Sequence, residues 1–195
     1  MTICQQKHGF TLLELLVSAG VLSLVSVIIA QVLFTTVRLN TKTEQLKEMK
    51  QTGTATMETV RRMIQNARGV SSPCTGTILS ELTIVNIDGI ETTFRCAADT
   101  QYTTRSVFRI ASESATLSTT SFISSGNVTL VANAGDAGCG IADTEDAALQ
   151  FVCTSIGDKV TSVSIFFRLR QQNATTGVFE GATETFQSTG TTRNN

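Results

Sequence analysis

Three kinds of residue in this chain could do chemistry: a carboxylate set in an apolar run, four cysteines beyond it, and one histidine ahead of it. The carboxylate is Glu14, one turn in from Phe10. From Leu15 to Phe34 it is followed by twenty residues without a charge. As a helix these would span roughly 30 Å, which is the thickness of a bilayer's hydrocarbon core. An ionised side chain there costs about 2.5–3.5 kcal/mol at the bilayer centre and less near its edge, so it calls for a partner. Phe10 and Glu14 lie four positions apart, about 6 Å along a helix axis. A protonated amine on an axially staggered neighbouring chain would answer this carboxylate. Such a pair is strengthened in a low-dielectric core.

Cys74, Cys96, Cys139 and Cys153 are an even number beyond the apolar run, as two disulfides in an oxidising compartment require. Four cysteines allow three pairings. Sequential bonds, Cys74–Cys96 and Cys139–Cys153, are expected because each would join neighbouring strands or clamp one loop. The C-x-x-C pairs usual for a four-cysteine zinc site are absent, and free buried thiols are the remaining alternative. The one histidine, His8, precedes the run. The rest of the chain therefore has no Ser-His-Asp or Cys-His arrangement and no histidine-ligated metal. Scattered carboxylates such as Glu81, Asp88 and Glu91 read as solvated charges at turns and strand edges. Neither catalytic residues nor a cofactor or metal are expected.

Nothing in the sequence stops the helix at the membrane edge, since the only proline is Pro73. Beyond Phe34 the pattern becomes amphipathic. Leu46, Met49, Gly53, Met57, Val60, Ile64 and Ala67 recur three or four apart on one stripe. Lys42, Glu44, Lys47, Glu48, Lys50, Glu58, Arg61 and Arg62 fall on other faces. Arg68, Gly69 and Ser71-Ser72-Pro73 mark the stop. Thr52-Gly53-Thr54 is the weak point, where Gly costs about 1 kcal/mol of helix propensity. Gly53 either lets the helix sit close to a sheet or marks a bend.

After Gly69 the composition is that of strands and turns. Glu81–Ile87 and Ile90–Cys96 flank Asp88-Gly89 and predict a hairpin. Further strands are expected at Ser106–Ile110, Asn127–Ala132, Leu149–Cys153 and Val160–Arg170, with a last short one around Phe179–Phe186. In Val160–Arg170 the set Thr161, Val163, Ile165, Phe167 and Leu169 forms the apolar face. Ala111–Ser125 reads as a surface loop, and Gln187 onward as a loosely held tail. Ala132–Ala148 is rich in glycine and carboxylates, but without the spacing of a calcium loop it reads as a solvated acidic loop. Asn127-Val-Thr and Asn173-Ala-Thr match the short glycosylation pattern.

Lys7-His8-Gly9 followed by Phe10-Thr11-Leu12-Leu13-Glu14-Leu15-Leu16 resembles the leader junction of type IV pilins and type II secretion pseudopilins. The resemblance is specific over about the first thirty residues. It implies cleavage between Gly9 and Phe10 by a prepilin peptidase, N-methylation of Phe10, and Glu14 as the acidic residue used in assembly. An ordinary signal peptide is cut after its apolar stretch and lost; a cut at Gly9 would keep the whole helix. The implied fold is α+β. A long N-terminal helix, transmembrane in its first half, packs its second half on an antiparallel sheet. The implied organisation is leader 1–9, membrane and assembly half 10–34, amphipathic half 35–69, and a β-rich extracytoplasmic domain 70–195.

The implied role is a structural subunit of a pilus or secretion pseudopilus. It would lie in the inner membrane and meet membrane lipid, other pilin or pseudopilin subunits and an inner-membrane assembly platform. Gln31 stands where major pilins commonly carry proline, and 42 residues follow Cys153; both favour a minor subunit. Orientation rests on the resemblance, because Lys7 on one side is balanced by Arg38 and Lys42 on the other. The net charge of −1 and the absence of tryptophan argue against nucleic acid as a partner. The rival expectation is a membrane-anchored extracytoplasmic binding or adhesion module that does not polymerise.

Overall fold

The computed structural model describes residues 11–102, 106–116, 120–133, 137–156, 159–171 and 183–192. Among these residues one helix, α1 (Leu12–Asn66, 55 residues), is followed by ten strands. The chain has two compact units that meet at Glu44, and α1 runs from the first, to which residues 12–44 belong, into the second, which holds the described strands.

Thr11 starts the helix. The Glu14 N–H donates to the Thr11 carbonyl at 3.1 Å and to Thr11 Oγ1 at 3.3 Å, which is how a threonine N-cap satisfies an orphan donor. At the other end the helix stops two residues short of Arg68. Gly69 takes no left-handed cap conformation. It opens instead the two-residue strand β1 (Gly69–Val70), after the Arg68 N–H has bonded the Val85 carbonyl at 2.8 Å.

The strands form two antiparallel sheets, where a single sheet was expected. The first has the order β1-β3-β4-β5-β6, with β3 Leu82–Val85, β4 Glu91–Ala98, β5 Phe108–Ser114 and β6 Thr120–Phe122. The second has the order β10-β9-β8-β2, with β2 Thr75–Leu79, β8 Leu149–Ile156, β9 Lys159–Gln171 and β10 Thr183–Gly190. Strand β7 (Val128–Leu130) also pairs with β9, placing Leu130 opposite Leu169. The second sheet arises because β2, preceding the hairpin, pairs with β8 far along the chain rather than with β3.

The expected hairpin is β3–β4, with Leu82 opposite Phe94 and Val85 opposite Glu91. Its turn is one residue longer than Asp-Gly alone. Asn86 bonds Ile90 across it, and Gly89 sits at φ 82°, where a side chain would be strained. The Asp88 carboxylate accepts from the Ile90 N–H at 3.0 Å. Two other expectations fail. Residues 111–114 and 120–122 of the supposed surface loop are strand, pairing Ala111 with Phe122. Gln187–Gly190 of the supposed tail is the second half of β10, paired with Phe166 to Val163. Its turn to strand follows from β9, whose thirteen residues offer a ladder long enough to hold it. Phe179 and the last three residues lie outside the described ones.

The core joins the later part of α1 to both sheets. Met49, Met57, Val60, Ile64 and Ala67 of the predicted stripe are buried with Leu82, Ile84, Phe94 and Ile110 of the first sheet. From the second sheet come Leu149, Phe151, Val163, Ile165, Phe167 and Leu169. Strand β9 thus buries the predicted alternate set from Val163 on. Gly53 resolves in favour of close approach: the Phe186 ring of β10 occupies the space its Cβ would need, and that ring stacks on Phe167 at 5.3 Å.

The cysteines pair across this architecture, against the sequential expectation. Cys74 bonds Cys153 and Cys96 bonds Cys139, with Cα separations of 4.7 and 5.6 Å. The reason is topological. Cys74 adjoins β2 and Cys96 lies on β4, in different sheets, so they are not neighbours. Cys74 reaches Cys153 because β2 pairs with β8. Cys96 fixes the acidic segment after β7 onto the first sheet.

Candidate functional site

Gly9 and Phe10, the expected cleavage and methylation positions, lie outside the described residues. Glu14 is described, and the local chemistry around it is legible. It occupies the third helical position after Thr11, so Thr11-Leu12-Leu13-Glu14 reads as the T-x-x-E pattern of a capping box. That signal was present in the sequence and went unread. A carboxylate in the first turn also faces the positive end of the helix dipole. The helix thereby begins just after the expected cut and presents Glu14 at its opening turn, exposed.

The residues that follow are apolar and uncovered. Leu12, Leu13, Leu15, Leu16, Leu22, Leu24, Ile28, Leu33 and Phe34 are all more than half exposed. An 18-residue window here has mean hydropathy 2.5 with none of it buried, which is long and apolar enough to cross a membrane. Water disfavours such a surface, so the segment belongs in lipid or against another apolar surface. Its hydroxyls do not contradict that. Ser18 and Ser23 donate to carbonyls three residues back, and Ser26, Thr35 and Thr36 to carbonyls four back, at 2.8 to 3.0 Å. Each hydroxyl is satisfied within the helix itself.

Elsewhere the polar side chains serve the fold. Among the described residues the most enclosed ion pair is Asp99–Arg109, at 2.6 Å, with the aspartate side chain fully buried. The Arg109 Nε also donates to the Ser124 carbonyl at 2.8 Å, and its guanidinium lies 4.6 Å from the Phe122 ring centre. The hydrogen bond from Arg109 outweighs burial and holds Asp99 below the usual carboxylate range. Arg95 does the same to Glu113 across β4 and β5, at 2.6 Å. Beside Arg109 lies an open cleft of about 550 Å³, lined by Glu48, Gln51, Thr52, Thr56, Phe122 and Ser125 among others.

The carboxylates considered for acid–base work are placed apart. Glu91 accepts from Ser71 Oγ at 2.9 Å, and Asp88 closes its own turn. In the acidic segment Asp143 accepts from the Ser80 N–H at 2.7 Å and from Ser80 Oγ at 2.9 Å. These two bonds hold it below the usual carboxylate range. Among the described residues no three His, Cys, Asp or Glu side chains converge as a metal site. Asn127 donates to the Glu48 carboxylate at 2.9 Å; Asn173 lies outside the described residues.

Comparison with known proteins singles out the same end of the chain. Residues 4–30 match the family model described as the prokaryotic N-terminal methylation motif. No curated protein and no solved structure matches the chain. The match covers the junction around Gly9 and Phe10, Glu14, and most of the exposed apolar stretch. Residues 4–30 thus bear the prepilin-type methylation signal, and that motif on a long helix ahead of antiparallel sheets makes the chain similar to type IV pilins.

Proposed function

We propose that this chain is a minor structural subunit of a type IV pilus or type II secretion pseudopilus. A prepilin peptidase cuts it between Gly9 and Phe10 and methylates the new amine. The retained helix anchors it in the inner membrane with the disulfide-bonded body outside, and then packs among the helices of other subunits on an assembly platform. The observation that carries this reading is the methylation motif over residues 4–30, lying on a helix whose apolar surface is exposed among the described residues. Glu14 supplies the charge that meets a neighbour's amine, and its exposed place on the opening turn suits that role. The two disulfides fit an exported body.

Co-expression with a prepilin peptidase tests it directly. Mass spectrometry of the product should show loss of the first nine residues and gain of one methyl group. An intact N-terminus favours the rival, an anchored binding module that never polymerises. Glu14→Ala should abolish assembly while membrane insertion survives. Glu14→Gln refines the result, because glutamine keeps the capping-box chemistry and loses only the charge. If both variants fail alike, the charge is what assembly needs.

A further inference from the structure

One polar side chain in the apolar stretch remains without a role. Gln31 is exposed, and among the described residues its side-chain amide has no hydrogen-bond partner. The five serines and threonines between Leu12 and Val37 other than Thr11 at the cap differ, for each donates back to its own helix. Gln31 has a longer side chain that carries both donors and acceptors. The uncharged stretch extends from Leu15 to Val37 and is centred on Ser26. Gln31 therefore lies about 7.5 Å from that centre along the axis, inside a hydrocarbon half-thickness of roughly 15 Å. Lipid tails offer an amide nothing at that depth.

We infer that Gln31 pairs two copies of this chain in register within the bilayer, amide to amide. Copies inserted in the same direction bring their Gln31 side chains to one depth with no axial shift. The other polar group of the span is out of reach, since Glu14 is seventeen residues away, about 25 Å along the axis. An amide is self-complementary, so a second copy satisfies both its donor and its acceptor. Gln31 and Glu14 are also about 100° apart around the helix. The Phe10–Glu14 pairing needs an axial stagger of about 6 Å, whereas the Gln31 pair needs none. The two contacts therefore serve different neighbours, and the in-register pair is available to subunits still resident in the membrane.

This inference rests on the membrane reading of the helix, and the test separates the two. The full chain is expressed in membranes, checked for resistance to carbonate extraction, and then measured by sedimentation equilibrium in density-matched micelles. Wild type should dimerise. Gln31→Leu should weaken dimerisation roughly 3- to 30-fold, the range of interhelical polar contacts in membranes, and Gln31→Asn should retain most of it. Ser26→Ala, which removes a hydroxyl already satisfied by the Leu22 carbonyl of its own helix, should leave it unchanged. Insertion with a monomeric wild type, or with Gln31→Leu as tightly associated as wild type, overturns the inference alone. Failure to insert overturns the membrane reading and the inference with it.

Discussion

The two parts of α1 obey the same backbone rules and meet opposite fates. Before Glu44 the helix shows leucine, valine and isoleucine on every side, all exposed. After Gln45 it keeps apolar residues to one stripe, and both sheets bury that stripe. Hydrophobicity alone does not tell these parts apart; its distribution around the axis does. A stripe can be covered by one partner from the same chain, here the sheets. A helix apolar all round needs a surrounding medium, either lipid or a ring of other helices. The difference teaches where each part finds its stability: within the molecule for the later part, outside it for the earlier.

The largest effect should come from truncating the body's core. Phe151 is fully buried beside Phe94, so Phe151→Ala should cost about 3–5 kcal/mol in denaturant unfolding of the body. Leu22→Ala, on the exposed part, should leave that same transition within about 0.5 kcal/mol. Equal losses would mean that the earlier part is coupled to the body's stability, and the contrast would fall.

Removing a disulfide comes next. Replacing both cysteines of either bond by serine should lower unfolding stability by about 2–5 kcal/mol. The Cys74–Cys153 bond closes a separation of 79 residues against 43 for Cys96–Cys139. On chain entropy its loss should cost about 0.5 kcal/mol more. Neither change should alter extraction of the helix from membranes.

Two glycines sharpen the comparison at one site each. Gly20→Ala meets open space and should gain up to about 1 kcal/mol of helix propensity. Gly53→Ala drives a methyl group into the Phe186 ring, and overpacking of about 1–3 kcal/mol should cancel or exceed the same propensity gain. Helix content by circular dichroism would report the Gly20 change, and thermal melts of the body the Gly53 one.

Acid provides the gentlest test. Asp99 and Glu113 are held below their ordinary range chiefly by hydrogen bonds from Arg109 and Arg95, and Asp143 by those from Ser80. A depressed carboxylate stabilises the fold above its unfolded-state pKa, and that stability is lost as pH falls through the folded value. The body's melting temperature should hold between about pH 6 and 8 and fall below about pH 4. Asp99→Asn should flatten part of that decline.

Much of this was legible in residue order because the signals are local. The stripe from Leu46 to Ala67, the alternation from Val163 to Leu169 and the Asp88-Gly89 hairpin each use a period or a turn that a short window contains. The T-x-x-E cap at Thr11 was equally local and was missed because Glu14 was read only for its charge. What escaped was long-range. Strand β6 has three residues and few apolar anchors, so only its ladder with β5 makes it a strand. Gln187–Gly190 reads as polar tail until β9 is there to pair with it. The disulfide partners followed the same logic, since Cys74 cannot select Cys153 until β2 has paired with β8.

By itself the sequence determined the helix, its apolar first part with Glu14 at the start, and the β-rich character of the remainder. These follow from backbone sterics, propensity and periodicity acting over a few residues. Tertiary structure alone decided that the strands form two sheets, that Phe186 seats over Gly53, and that the cysteines bond as they do. Those depend on which distant segments pair, and pairing is settled by the free energy of the whole core, with all its apolar faces buried at once.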